Sequence, residues 1–183
     1  MRIKPQQILA VLGSLVITLG LLFGVQGLAR EKLISDPLEQ FYRHAPGVQH
    51  FAIANHNGAT VISLTLGQVA DLEQTYLFLQ DRTATFLPPG SFHLHLLDHR
   101  DASLTAAYEQ MSLAIQQGIT TGEFVNMQQM LVKEGKAFGL SRVAVEADDY
   151  NIYVQLGHGS HYLYAVVPRH PSKEQLALLG GGA

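Results

Sequence analysis

Between Gln6 and Ala29 the chain carries no ionisable side chain, and Ile8–Ala29 is apolar or small apart from Ser14, Thr18 and Gln26. As a helix, those 22 residues reach about 33 Å, enough for a hydrocarbon core of about 30 Å. A helix packed on a water-soluble core would show a polar stripe at helical period, and none is present. The sequence therefore predicts a cytoplasmic N-terminus and transmembrane anchor over residues 1–29.

Flanking charge sets the orientation. Arg2, Lys4 and the α-amino group precede the segment with no acid among them, whereas Arg30, Glu31 and Lys32 follow it, with Asp36 and Glu39 close behind. The stronger positive bias is N-terminal, so the expected arrangement is a single-pass protein of the cell membrane with its C-terminal domain outside the cytoplasm. The alternative is secretion after signal cleavage, because Gly27 and Ala29 are small residues at the −3 and −1 positions of a cut following Ala29. The apolar stretch Ile8–Val25 has 18 residues, longer than the roughly 7–15 of a signal peptide, which favours retention. Gly20 and Gly24 form a GxxxG pair, a transmembrane packing candidate through which two such helices approach closely.

Composition narrows the function classes. There is no Cys among the 183 residues, which removes disulfides, thiolate metal sites and cysteine nucleophiles. A net charge of −3 supplies no basic field for nucleic acid. Beyond residue 29, 10 basic residues face all 15 acidic ones over one domain's length, enough to bury a core without a metal staple.

Residues 30–47 read as a linker or short helix punctuated by Pro37 and Pro46, residues 48–170 as the extracytoplasmic domain, and 171–183 as a flexible tail ending Gly180-Gly181-Gly182-Ala183. Val48–Ala54 and Thr60–Leu66 are strand-like runs split by Asn57-Gly58, a strong hairpin signal. Val69, Leu72, Tyr76 and Leu79 recur at helical spacing, and Phe92–Leu96 alternates as a half-buried strand does. Asp101 or Ser103 should cap a second helix ending near Gly118. Thr120-Thr121-Gly122-Glu123 has the form of a capping box for a third helix, which Gly139 ends. Arg142–Glu146, Asn151–Leu156 and His161–Val167 complete the string ββαβααβββ. The expected fold is α/β (α+β), with one five- or six-stranded mixed or antiparallel sheet and helices mainly on one face.

Strand alternation points to one surface. A four-residue loop in the last hairpin would set Leu156 opposite His161 and Tyr153 across from Tyr164. An aliphatic face would then meet the helices, with Tyr153, Tyr162 and Tyr164 on the other. His93 and His95 project from one side of the third strand. If these strands share a sheet, Tyr153, Tyr162, Tyr164, His93 and His95 form an interaction surface of rigid, polar-tipped rings. His93, His95 and His99 are also a metal candidate, with zinc the fitting ion for imidazole and carboxylate donors. No HExxH or comparable spacing accompanies them, so no cofactor is the leading expectation and zinc the alternative. No G-x-S-x-G elbow and no phosphate-binding Gly loop with its Lys is present, and no catalytic residues are assigned.

In layout, a single anchor followed by a compact helix-and-sheet body, the chain is similar to the small extracytoplasmic α/β modules that assemble membrane rings in sporulation and secretion machines. That resemblance is at the level of fold and implies association with a protein partner or with itself. The leading expectation is a membrane-anchored protein-interaction or assembly module. The alternative is an exported His-dependent metal-binding protein or hydrolase.

Overall fold

The computed structural model describes residues 36–56 and 58–170. The anchor stretch with Gly20 and Gly24 lies outside them, as does the 171–183 tail; among the described residues no helix is long and apolar enough to cross a membrane.

The described chain opens with helix α1 (Asp36–His44), inside the stretch read as linker. Pro37 occupies its first turn, where a missing N–H costs nothing, and Asp36 and Glu39 face its positive end. Leu38 and Tyr42, four residues apart, are both buried. The Tyr42 hydroxyl bonds Thr83 Oγ1, tying α1 to helix α2 (Leu72–Ala84). Burial pushes the Tyr42 phenol up to about 12, against a lowering by Thr83 and a further rise from Tyr76.

Strands β1 (Val48–His56), β2 (Ala59–Leu66) and β3 (Phe92–Leu97) form one sheet in the order β1-β2-β3. β1 and β2 are an antiparallel hairpin, and β2 and β3 run parallel across the α2 crossover. Asp71 caps α2 by accepting the Gln74 N–H at 2.8 Å. Ile62, Leu64 and Leu66 bury one face of this sheet against α1 and α2, with Phe92, Leu94 and Leu96 beside them.

Helices α3 (Ala102–Thr121) and α4 (Phe124–Ala137) precede a second sheet, β4 (Arg142–Ala147), β5 (Asn151–His158) and β6 (His161–Pro168), antiparallel throughout. Ile152, Val154, Leu156 and Leu163 pack against Leu104, Met111 and Ile115 of α3 and Met127 and Leu131 of α4.

The strands thus divide three and three rather than joining in one sheet, and the helices lie on both sides of the second. The division has a local cause. Asp98 follows β3, and its carboxylate accepts the Tyr164 N–H at 2.8 Å, taking the place of a strand carbonyl. Backbone pairing beside the junction is reduced to a single bridge, His99↔Tyr162. Arg100 holds the same carboxylate through two hydrogen bonds of 2.8 and 2.7 Å. The Asp98 side chain is only 3% exposed, so this pairing is what makes its burial tolerable.

Two expectations about α3 and α4 are corrected. Gly118 does not end α3, which continues to Thr121 and stops at Gly122, left-handed at φ +76. Gly118 instead lets α4 come close: a Cβ there would lie 2.6 Å from Met127 Sδ and 2.8 Å from its Cβ. The capping box does not form either, because Thr121 still belongs to α3 and Glu123 caps α4 without a side-chain bond.

The last hairpin is also tighter than the four-residue loop expected. Its register is Leu156↔Leu163, Gln155↔Tyr164 and His158↔His161, leaving Gly159-Ser160 as the turn. Gly159 has φ +60 at the first central position, as primed two-residue turns require. The shift is two residues, so every side chain keeps its face.

Gly135 in α4 faces β4, and a Cβ there would overlap Val143 Cγ2. Gly135→Ala is expected to lower stability by about 1–3 kcal/mol through overpacking, although Ala is the better helix former. Urea denaturation of the variant checks this.

Candidate functional site

The tyrosine face of β5 and β6 is turned inward. Tyr153 is 1% exposed and Tyr164 2%, and both belong to the core built on Ile62, Leu64 and Leu66. The sequence does not say what packs against them; the structure places the 66–70 segment there. The Tyr162 hydroxyl donates to Leu66 O at 2.9 Å, and the Tyr164 hydroxyl donates to Gly67 O at 2.9 Å while accepting the Val69 N–H at 2.9 Å. Gln155 Nε2 donates to Val69 O at 2.7 Å, and Arg142 to Ala70 O. These side chains satisfy the backbone of a segment that has left β2 and not yet entered α2. They hold the chain to itself rather than present an open surface. The roles of Gln155 and Arg142 were not foreseen, and the signal for them was weak: polar residues alternating with a core strand's aliphatics.

Tyr153 has a second task. Its hydroxyl donates to Asp148 Oδ2 at 2.8 Å, and Asp148 Oδ1 accepts the N–H groups of Tyr150 and Asn151 at 2.7 and 2.6 Å. Burial pushes the Asp148 carboxyl up, but the two amides, the Tyr153 hydroxyl and nearby Arg169 outweigh it and hold the group below its ordinary value. Burial first, and then the Asp148 bond, push the Tyr153 phenol up.

At the junction of the sheets, Asp101 caps α3 by accepting Leu104 N–H at 2.8 Å and pairs with His158 Nδ1 at 2.7 Å. The His158 bond, with the Leu104 amide second, lowers the Asp101 carboxyl. His99 stacks near His161, ring centroids 4.5 Å apart. His99 is therefore committed to this junction, whereas His93 and His95 stand on β3. Among the described residues no three His, Cys, Asp or Glu side chains are gathered as a metal site, so His93, His95 and His99 are not brought together as one.

His93 and His95 do belong to a surface, though not one shared with the tyrosines. Strand pairing sets Ala54, Val61 and His93 in one row, Ala52, Ser63 and His95 in the next, and His50, Thr65 and Leu97 in the third. These nine side chains face away from the core of the first sheet. His50, Ala52, Ala54, His95 and Leu97 are exposed, Leu97 at 41%, and the other four half-buried. No Asp, Glu, Lys or Arg stands among them. His93 Nε2 is enclosed yet has no hydrogen-bond partner among the described residues.

Beside this face runs the outer edge of β1, which pairs with no further strand among the described residues. An open groove of about 650 Å³ follows it, lined by Val48–Ile53 of the strand and by Glu39, Tyr42, Arg43 and His44 of α1. Edge strands are commonly blunted by Lys, Pro or charge, and β1 has none of these. The opposite outer strand, β4, carries Arg142 and Glu146. A sequence signal for the open edge exists: from His44 to Ala70, 27 consecutive residues contain no Asp, Glu, Lys or Arg.

No family model matches the sequence, and no curated protein matches it.

Two outcomes follow from this geometry. Tyr164→Phe should cost about 1–3 kcal/mol, because it leaves the Val69 N–H and the Gly67 carbonyl without their buried partner; urea unfolding measures it. The lowered Asp148 carboxyl stabilises the fold when ionised, so its contribution is complete above the unfolded value near 4 and is lost as pH falls through the folded one. The drop in urea midpoint between pH 7 and pH 3 should therefore be smaller in Asp148→Asn than in the parent chain.

Proposed function

We propose that this chain is a protein-interaction or assembly module, held at the cell membrane by its N-terminal helix with the α/β body outside the cytoplasm. The observation that carries the reading is the uncharged face and edge of the β1-β2-β3 sheet. A solvated sheet face ordinarily carries Lys, Glu or other charge, which keeps sheets from adhering to one another. Here nine positions in three rows hold only Ala, Val, Ser, Thr, Leu and His. Small side chains let a second surface approach closely, and imidazoles supply hydrogen bonds without a fixed charge. Depletion of charge at the centre of a patch is the compositional mark of interface cores. Tethering to a membrane raises effective concentration, so a face of this modest size suffices for association.

The interaction surface of this reading contains His93 and His95, with Ser63 and Ala52 between and beside them, and the tyrosines act in folding. A photocrosslinking residue placed at Ser63 or at His95 of the full-length chain, in its native membrane, should give adducts of discrete mass. The same probe at exposed Gln110 on α3 should give none. Absence of adducts at Ser63 and His95, or equal adducts at Gln110, would overturn the reading.

A further inference from the structure

We infer that the β1 edge is completed by a second copy of this chain, the two β1 strands pairing antiparallel about a two-fold axis at Ala52. The inference rests on the interaction-module reading and adds to its face a second contact, at the edge, made by another copy of the chain.

The β1–β2 hairpin closes on His56↔Ala59 with two residues between, which makes that a hydrogen-bonded pair. Backbone groups then alternate: those of Ala54 and Ala52 bond to β2, while those of Asn55, Ile53 and Phe51 point outward, the last two into the groove. A row of outward N–H and C=O groups is a ready template for another strand, which can satisfy all of them in one ladder. The irregularity between Val48 and His50 ends the regular edge on one side and the turn ends it on the other.

The groove itself selects the kind of strand. Its acidic and basic wall residues, Glu39 and Arg43, pair with each other at 3.3 Å, so together they add no net charge to the groove. What fits is an uncharged strand with an apolar face, and β1 is one. An axis at Ala52 sets Phe51 of each copy against Ile53 of the other. Both are partly buried side chains packed on the first core, and the pairing extends that core across the axis. On the opposite side the axis sets His50 against Ala54, so the two uncharged faces join into one six-stranded surface. β1 has no Asp, Glu, Lys or Arg, so no like charges of the two strands meet along the pairing.

The test uses the full-length chain in detergent micelles. The protein has no Cys, so a single introduced thiol reports without background. Across the axis Ala52 would meet its own copy in a non-hydrogen-bonded pair with Cα atoms about 4.5 Å apart, within disulfide range. Ala52→Cys should therefore form a covalent dimer on mild oxidation. Ser63→Cys should not, because its copy lies three strand spacings away, about 14 Å. Ala52→Lys and Ala52→Glu should each weaken association by about fivefold, and an equimolar mixture should restore it.

A chain that is dimeric by sedimentation but crosslinks at neither position overturns the β1 pairing and leaves self-association through another surface. A monomeric chain whose Ser63 probe captures one defined foreign protein overturns this inference and leaves the interaction-module reading standing. A monomer with no adduct of any kind removes both.

Discussion

The structure depends on how the chain crosses from one core to the other. Residues 66–70 pass beneath the second sheet as the chain leaves β2; Gln68 and Ala70 are exposed there, but the backbone groups turned toward the sheet must find partners. Tyr162, Tyr164, Gln155 and Arg142 supply them. Each comes from the second sheet and each reaches backbone rather than a side chain of the segment. The contact joins residues almost a hundred positions apart, which raises the contact order of the fold. It also explains why β5 is buried on both faces: aliphatic residues meet α3 and α4, and aromatic and amide residues meet the crossing segment.

Asp98 complements this arrangement by keeping the sheets apart. Had a strand carbonyl stood in its place, β3 and β6 could have zipped into one continuous sheet. The carboxylate accepts one backbone N–H and is held by Arg100, and the ladder stops after one bridge. Two small cores result, each with its own pair of helices, stitched by the 66–70 segment and the His99–Tyr162 contact.

Much of the local structure was legible in the sequence because the relevant physics is local. The turn between β1 and β2, the Asp101 cap and the alternation in β3, β5 and β6 depend on neighbours a few residues away. Even the misjudged turn at Gly159 left the faces intact, since two residues of slip preserve the period of a strand. What could not be read was partnership across distance. Tyr153 and Tyr164 alternate as surface residues would, and only the arrival of 66–70 turns them into core. Gly118 resembles a helix stop, and only the approach of Met127 shows that its missing Cβ is the point. For the candidate site, the side of β3 that carries His93 and His95 was legible; the rows completed by β1 and β2 needed the parallel crossover to be known.

The two outer strands differ in a way that bears on how large an assembly becomes. β4 ends the second sheet with a short run that includes Arg142, already engaged with Ala70, and Glu146. β1 ends the first sheet without charge. A subunit with two receptive edges adds neighbours without limit and grows into a fibre; one with a single receptive edge, used against its own kind, is consumed when it finds one mate. If β1 pairs with its own copy as inferred above, the unequal edges would act as a chain terminator, limiting edge pairing to two subunits and leaving any larger array to the uncharged face.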